Sequence, residues 1–266
     1  MPEGPEVTTI TDGLRKDLKN KILKDILIVE GGKYDKKAPD NYQKFIDNLP
    51  LKVLDIQNKG KLIYWTFEKG FYMYNHLNMT GIWAKSKAEK HTALEFIFNH
   101  RSCFYIDQRR FGRIEFATDL DKLKKIGPDI LNDKSFTFDL FEERMDLRPR
   151  WTLSKILMDQ SVVSGIGNYL KSEILYASHL NPHRQIENLS HEELETLYQE
   201  SRRIITESYQ NQGMSKRNYI DYEGKKGSFE FKLKVYGKKK DPKGNDIIRE
   251  KTKDGRSTYW VPKLQS

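Results

Sequence analysis

The chain opens MPEGPEV, and Pro2 with Glu3 is the first pairing in it that could do covalent chemistry. With Met1 removed, Pro2 is a secondary α-amine. The ordinary pKa of such groups is about 7.7–8.0, so a usable fraction is neutral near pH 7. A neutral amine of this kind attacks electrophilic carbon, and the iminium it forms keeps a positive charge that withdraws electrons. Glu3 beside it can give or take a proton. Glu6 stands near the start of the helix that follows, where the helix dipole favours negative charge. Composition alone favours a simpler reading, a proline entering a helix with glutamates as caps.

Other stretches offer chemistry directed at an anion. NKGKLIYW carries Lys59 and Lys61, which could equally be solvated lysines at a strand end. SGIGNYLKSE places Gly165 and Gly167 before a helix, where backbone amides and the helix N-terminus favour a phosphate. HLNMTG and DQRRFGR hold Met79, Arg109 and Phe111. These are a flexible apolar thioether, a hydrogen-bond donor and an aromatic wedge, although Met79 and Phe111 alone read more readily as core.

The elements that must position these residues follow from pattern. Val7, Ile10, Leu14 and Leu18 form the apolar stripe of an amphipathic helix. From about 22 to 118, short alternating runs such as LIYWTF, FYMYNHL and LEFIF predict a β-sandwich or barrel. GGKYDKKAPDN (31–41) reads as an exposed loop. From about 130 the pattern becomes helical. Ser190 with Glu193 forms a capping box, and Leu194, Leu197, Tyr198, Ile204 and Ile205 face inward. Residues 211–228 are polar and punctuated by glycine, as in a mobile loop. In the tail, Phe229, Phe231, Leu233 and Val235 alternate with Glu230, Lys232, Lys234 and Tyr236. This predicts a strand that pairs through the basic turn YGKKKDPKGND with a second strand at GRSTYWV.

Composition narrows the partner. The 266 residues hold 47 Lys+Arg against 38 Asp+Glu, a net charge of +9 that favours a polyanion, nucleic acid before a membrane surface. No run of 18 apolar residues exists to span a membrane, and the acidic start does not read as a secretory signal. The single cysteine, Cys103, excludes an intrachain disulfide and an all-cysteine zinc site, and the six histidines show no metal-ligand spacing. An intracellular protein is expected, nuclear in a eukaryote, with no cofactor and no sign of oligomerisation.

MPEGPEV, SGIGNYLKSEILY and the basic tail with GRSTYW, in that order from end to end, resemble the Fpg/Nei family of DNA glycosylase/AP lyases. HLNMTG and DQRRFGR strengthen the match. The resemblance implies an α+β fold in three parts. These are an N-terminal helix with a catalytic β-sandwich over 1–130, a helix–two-turn–helix domain over 131–228 with the mobile loop near 211–228, and a finger hairpin over 229–266. It implies Pro2 as the nucleophile at the sugar C1′, Glu3 as the acid/base that opens the deoxyribose, and Lys61 as an assisting lysine, with Lys59 second. Asn168, Arg256 and Lys155 become contacts to DNA, and Met79, Arg109 and Phe111 fill the void left by an extruded base. Arg110 stays structural.

One departure is plain. Where many members carry four zinc-binding cysteines, this chain has Lys243, Val261 and Leu264 at three of the positions, and no metal is expected. Apolar packing by Phe229, Phe231, Leu233, Val235, Tyr259 and Trp260 should then hold the finger, as in the zincless-finger Nei-like branch. That branch implies removal of oxidised pyrimidines such as thymine glycol, and of formamidopyrimidines, with β,δ-elimination on damaged duplex or single-stranded DNA. Two rivals are an enzyme acting mainly on abasic sites and a non-catalytic helix–two-turn–helix nucleic-acid-binding protein. A mere binder has no use for a free secondary amine.

Overall fold

The computed structural model describes residues 1–214, 222–224 and 227–266, without the side chain of Phe231. Helix α1 (Gly4–Leu18) buries the expected stripe of Val7, Ile10, Leu14 and Leu18. It starts earlier than the stripe because Pro5 suits a first turn and the Glu6 carboxylate accepts the Glu3 amide at 2.7 Å.

Strands β1 (Ile22–Ile28), β2 (Leu51–Lys59), β3 (Leu62–Phe67), β4 (Tyr72–His76), β5 (Gly81–Ala84), β6 (Thr92–Phe98), β7 (Ser102–Asp107) and β8 (Arg113–Ala117) follow, with helix α2 (Tyr42–Ile46) between β1 and β2. They pair antiparallel in the order β5-β7-β6-β1-β2-β3-β4-β8. β1 and β2 pair only at Ile22–Lys52 and Leu23–Leu51, so the ladder is weakest there and the strands on its two sides face one another across one core. Across the resulting sandwich, the Trp65 ring lies 5.3 Å from Trp83 and 5.9 Å from Phe96. Burying each such ring stabilises the fold by roughly 2–3 kcal/mol, so this aromatic layer dominates the first core.

Helices α3 (Asp121–Lys124), α4 (Phe138–Asp146), α5 (Leu153–Ile156), α6 (Asn168–Ala177) and α7 (His191–Gln210) build the second half. Its core joins Phe136, Phe141, Leu170, Ile174, Leu197 and Ile205. The Ser190–Glu193 capping box starts α7 as expected. Among the described residues no helix is long and apolar enough to cross a membrane.

The expected mobile loop over 211–228 lies partly outside the described residues, but its described part is anchored. Tyr222 is buried in the sandwich core, and its hydroxyl donates to Asp17 at 3.0 Å. A Cβ on Gly13 would stand 2.9 Å from the Tyr222 Cβ, so α1 admits the ring only because that residue is glycine.

The tail corrects the sequence reading. Phe229–Lys232 is a 3-10 turn, and the hairpin is built instead from β9 (Ile248–Lys251) and β10 (Ser257–Trp260). The alternation had a different cause. Phe229, Leu233 and Val235 are buried, but the amides of Lys234, Val235 and Tyr236 all donate to the Glu173 carboxylate on α6, at 2.7–3.0 Å. With its amides taken by a side chain, the segment needs no partner strand.

Polar hubs then join apolar packing in holding the finger. Asp241 accepts the amides of Lys243 and Asn245, the Asn245 side chain and the Tyr176 hydroxyl. Gln265 is buried, accepts the Val261 amide at 2.7 Å and donates to the Leu180 carbonyl at 2.9 Å.

Candidate active site

The start of the chain lies in the seam between the two halves. Gly4 donates its amide to the Gly165 carbonyl at 2.8 Å, and a Cβ on Gly167 would fall 2.1 Å from the Glu3 carboxyl carbon. The SGIGN glycines therefore make room for the N-terminal segment itself. The Glu3 carboxylate accepts the amides of Tyr169 at 3.0 Å and Leu170 at 3.3 Å, both in the first turn of α6. The acceptor at this helix N-terminus is thus the Glu3 carboxyl, at a place where SGIGNYLKSE favours a phosphate. A fixed carboxylate satisfies the same orphan amides and the same dipole.

Burial raises the Glu3 carboxyl above the ordinary carboxylate range, against the pull of the Lys61 ammonium and the two amides. Glu6, beneath it, accepts from the Glu3 amide, the Tyr169 hydroxyl at 2.8 Å and the Met214 amide at 2.8 Å. Burial, with the neighbouring Glu3 charge, raises its pKa to about 7. Two carboxyl groups whose pKa values burial raises therefore sit one helical turn apart, and that of Glu6 reaches about 7.

Lys61 stands at the tip of the β2–β3 hairpin, whose tight turn needs Gly60 at φ +55°. Asp129 accepts the Gly60 amide at 2.8 Å and fastens this tip to the second half. Lys61 Nζ donates to the Ile166 carbonyl at 2.6 Å. Burial lowers its pKa to about 8, with Glu3 opposing the shift and Arg256 adding to it. Lys59 points elsewhere and donates to the Leu123 carbonyl.

A cavity of about 360 Å³ opens over these groups, lined by Met1, Glu3, Met79, Asn168, Tyr169, Met214, Tyr236 and Arg256. Arg256 comes from the β9–β10 turn, and its guanidinium has no ion-pair partner among the described residues. Asn168 donates one amide hydrogen to the Ser257 carbonyl at 2.9 Å, and the same amide carries a second hydrogen. Its accepting oxygen is buried without a described partner.

The void-filling candidates share one rigid support. Asp107 accepts the Thr80 hydroxyl at 2.7 Å and the Gly112 amide at 2.6 Å, and Thr80 accepts the Arg109 amide at 2.9 Å. The tip carrying Met79 and the turn carrying Arg109 and Phe111 are thereby tied together. Met79 is 37% exposed and Phe111 is 54% exposed, so neither is core. The Arg109 guanidinium covers the Phe111 ring at 4.7 Å. Lys155 is not brought to the cavity lining, and its ammonium stacks on Trp151 at 3.8 Å. Pro2 is buried directly behind Met1.

Sequence reasoning missed Tyr169, Met214 and Tyr236 on the cavity wall. Tyr169 lies inside a quoted motif but in a place where the pattern asks only for a helical residue. Met214 lies inside the segment read as a mobile loop, and Tyr236 lies at the end of the alternating run read as a strand.

Three family profiles match consecutive parts of the chain. They describe the formamidopyrimidine-DNA glycosylase N-terminal domain at residues 1–114, the H2TH domain at 126–219 and the C-terminal domain at 224–266. The formamidopyrimidine-DNA glycosylase of Desulfitobacterium hafniense is 32% identical, with all of both chains covered. That of Mycoplasma mobile is 30% identical over all of this chain and 99% of its own. The crystal structure of the MutM (Fpg) protein from Thermus thermophilus superposes with a TM-score of 0.86 at 26% identity, covering 99% of this chain and 98% of that one. The wild-type Fpg of Lactococcus lactis, bound to DNA containing N7-benzyl-Fapy-dG, gives 0.86 at 26% with both chains fully covered.

Proposed function

The chain belongs to the formamidopyrimidine-DNA glycosylase family, and from that premise we propose that it excises oxidised bases through a covalent intermediate on Pro2 and then cuts the strand. It is a DNA glycosylase of base-excision repair. With Met1 gone, the Pro2 nitrogen attacks C1′ of the damaged nucleotide, the glycosidic bond breaks and the base leaves with its electron pair. Glu3 delivers a proton to the ring oxygen as the sugar opens, which yields an iminium between Pro2 and C1′. Loss of a C2′ proton then expels the 3′ phosphate, and a second elimination expels the 5′ phosphate.

The observation that supports this reading is that Met1 and Glu3 line one cavity together with Met79, Asn168 and Arg256, while the buried Lys61 interacts electrostatically with Glu3 from behind it. Glu3 is held in a low-dielectric seam that favours its protonated form, which suits a general acid. Lys61 and Arg256 supply the positive charge for the flanking phosphates, and Met79, Arg109 and Phe111 occupy the gap left by extrusion. Ring-opened formamidopyrimidines are the first substrates to test, given the names of the relatives. Thymine glycol is the oxidised pyrimidine to set beside them. A purely DNA-binding protein would leave the buried Glu3 carboxyl, with its raised pKa, without a purpose.

Borohydride trapping tests the proposal on duplexes bearing a formamidopyrimidine, thymine glycol or an abasic site. Wild type should be trapped covalently, and a version that keeps a residue ahead of Pro2 should not. Tight DNA binding with no adduct on any substrate would overturn the covalent reading.

A further inference from the structure

A second concavity lies back to back with the first. It is a groove of about 510 Å³ whose lining includes Lys33, Tyr34, Lys37, Asn78, Phe111 and Arg113. Asn78 faces this groove while its neighbour Met79 faces the Glu3 cavity. The wall between them is firm, since Asn78 Nδ2 donates to the Phe111 carbonyl at 2.6 Å and Arg109 covers the Phe111 ring. The groove is also basic, because three cations face a single lining carboxylate, Asp40, which Arg113 contacts at 3.1 Å. Lys33 donates to the Gly112 carbonyl, and burial lowers its pKa. Lys37 is exposed and has no partner among the described residues.

We propose that this groove holds the sugar-phosphate backbone of the strand opposite the lesion, with Lys37 as its phosphate contact. A wedge driven into a duplex sends one strand to each side. The Glu3 cavity takes the extruded nucleotide on one side of the Met79–Phe111 wall, so the unbroken strand passes along the other, where the groove is cationic. The inference rests on the proposed excision reading of the cavity. It makes the groove the part of the surface that separates duplex from single-stranded DNA, a choice in which the cavity has no share.

The test is a salt titration of binding to an oligonucleotide carrying tetrahydrofuran as a stable abasic analogue, single-stranded and in duplex. Lys37→Glu should weaken duplex binding and lower the duplex salt slope by about one unit, with single-strand affinity unchanged. Arg256→Ala should lower both slopes. Equal loss on both forms for Lys37→Glu, or no loss on either, would overturn the groove assignment. The two readings fail separately. Wild type that binds undamaged and tetrahydrofuran duplex equally well would count against excision, whereas only the contrast between duplex and single strand for Lys37→Glu bears on the groove.

Discussion

At the scale of single residues, the site depends on where one carboxylate is kept. Two backbone amides and a helix dipole stabilise the Glu3 anion, yet burial outweighs them and raises its pKa. Glu3→Gln keeps the volume and loses the proton. It should cut single-turnover base release by roughly 10²–10⁴-fold, the usual range for a general acid, with tetrahydrofuran-DNA affinity held. Equal loss of binding would make Glu3 a scaffold rather than an acid. Pro2, Glu3, Lys61, Met79 and Arg256 could be singled out in the sequence because a motif surrounds each of them. Tyr169 could not. Its hydroxyl meets Glu6 across 163 positions of chain and Ser208 across 39, and a single sequence carries no sign of such pairings.

At the scale of elements, the finger hairpin is held to α6 by a buried ion pair. Lys171 and Asp254 meet at 2.6 Å with side chains 0% and 3% exposed. Asp254 also accepts the Thr252 hydroxyl at 2.5 Å and the Arg256 amide at 3.3 Å, so the turn that carries Arg256 is moulded around this carboxylate. Lys171→Met leaves that charge buried and unpaired, which should cost about 3–5 kcal/mol in chemical denaturation. Lys171→Met with Asp254→Leu should recover most of the stability. It should not recover the Arg256 contribution to the salt slope, since the turn loses its organising acceptor. The basic hairpin was legible in outline. Its second strand, within GRSTYWV, was placed and its first was not, because period two reports which side chains are buried and says nothing about where the backbone amides go. Here three of them go to Glu173.

At the scale of the molecule, Glu6 ties α1 to α6 and to the segment after α7 by accepting from Glu3, Tyr169 and Met214. Its folded pKa of about 7 lies above the ordinary value of 4.5. Below about pH 4.5 both folded and unfolded chains hold the proton, and the contribution is fully present. Between about 4.5 and 7 only the unfolded chain releases it, so stability should fall with rising pH by an amount on the order of 3 kcal/mol and level off above 7. Unfolding free energies of wild type and Glu6→Gln, compared across pH 4–8, isolate this difference. A difference that stays constant with pH would mean that Glu6 titrates in the folded protein as it does in the unfolded chain. The sandwich and the helical half were legible because each has its own periodicity. The seam between them was not, being made of glycines that admit a distant segment and of Tyr222, which crosses from one half to pack in the other.

The contact between Glu3 and the Tyr169 amide spans 166 positions, and this sets an order in time. A ribosome adding roughly 5–20 residues per second needs about 8–33 seconds to pass from one to the other. Throughout that interval the sandwich strands emerge and can pair, while the acid has no amides to orient it and the cavity has no far wall. A nascent or prematurely terminated chain that ends before α6 therefore carries the proposed nucleophile and acid but lacks the amides and the wall that complete the cavity. On the proposed mechanism, synthesis of the second half of the sequence thus acts as the arming step.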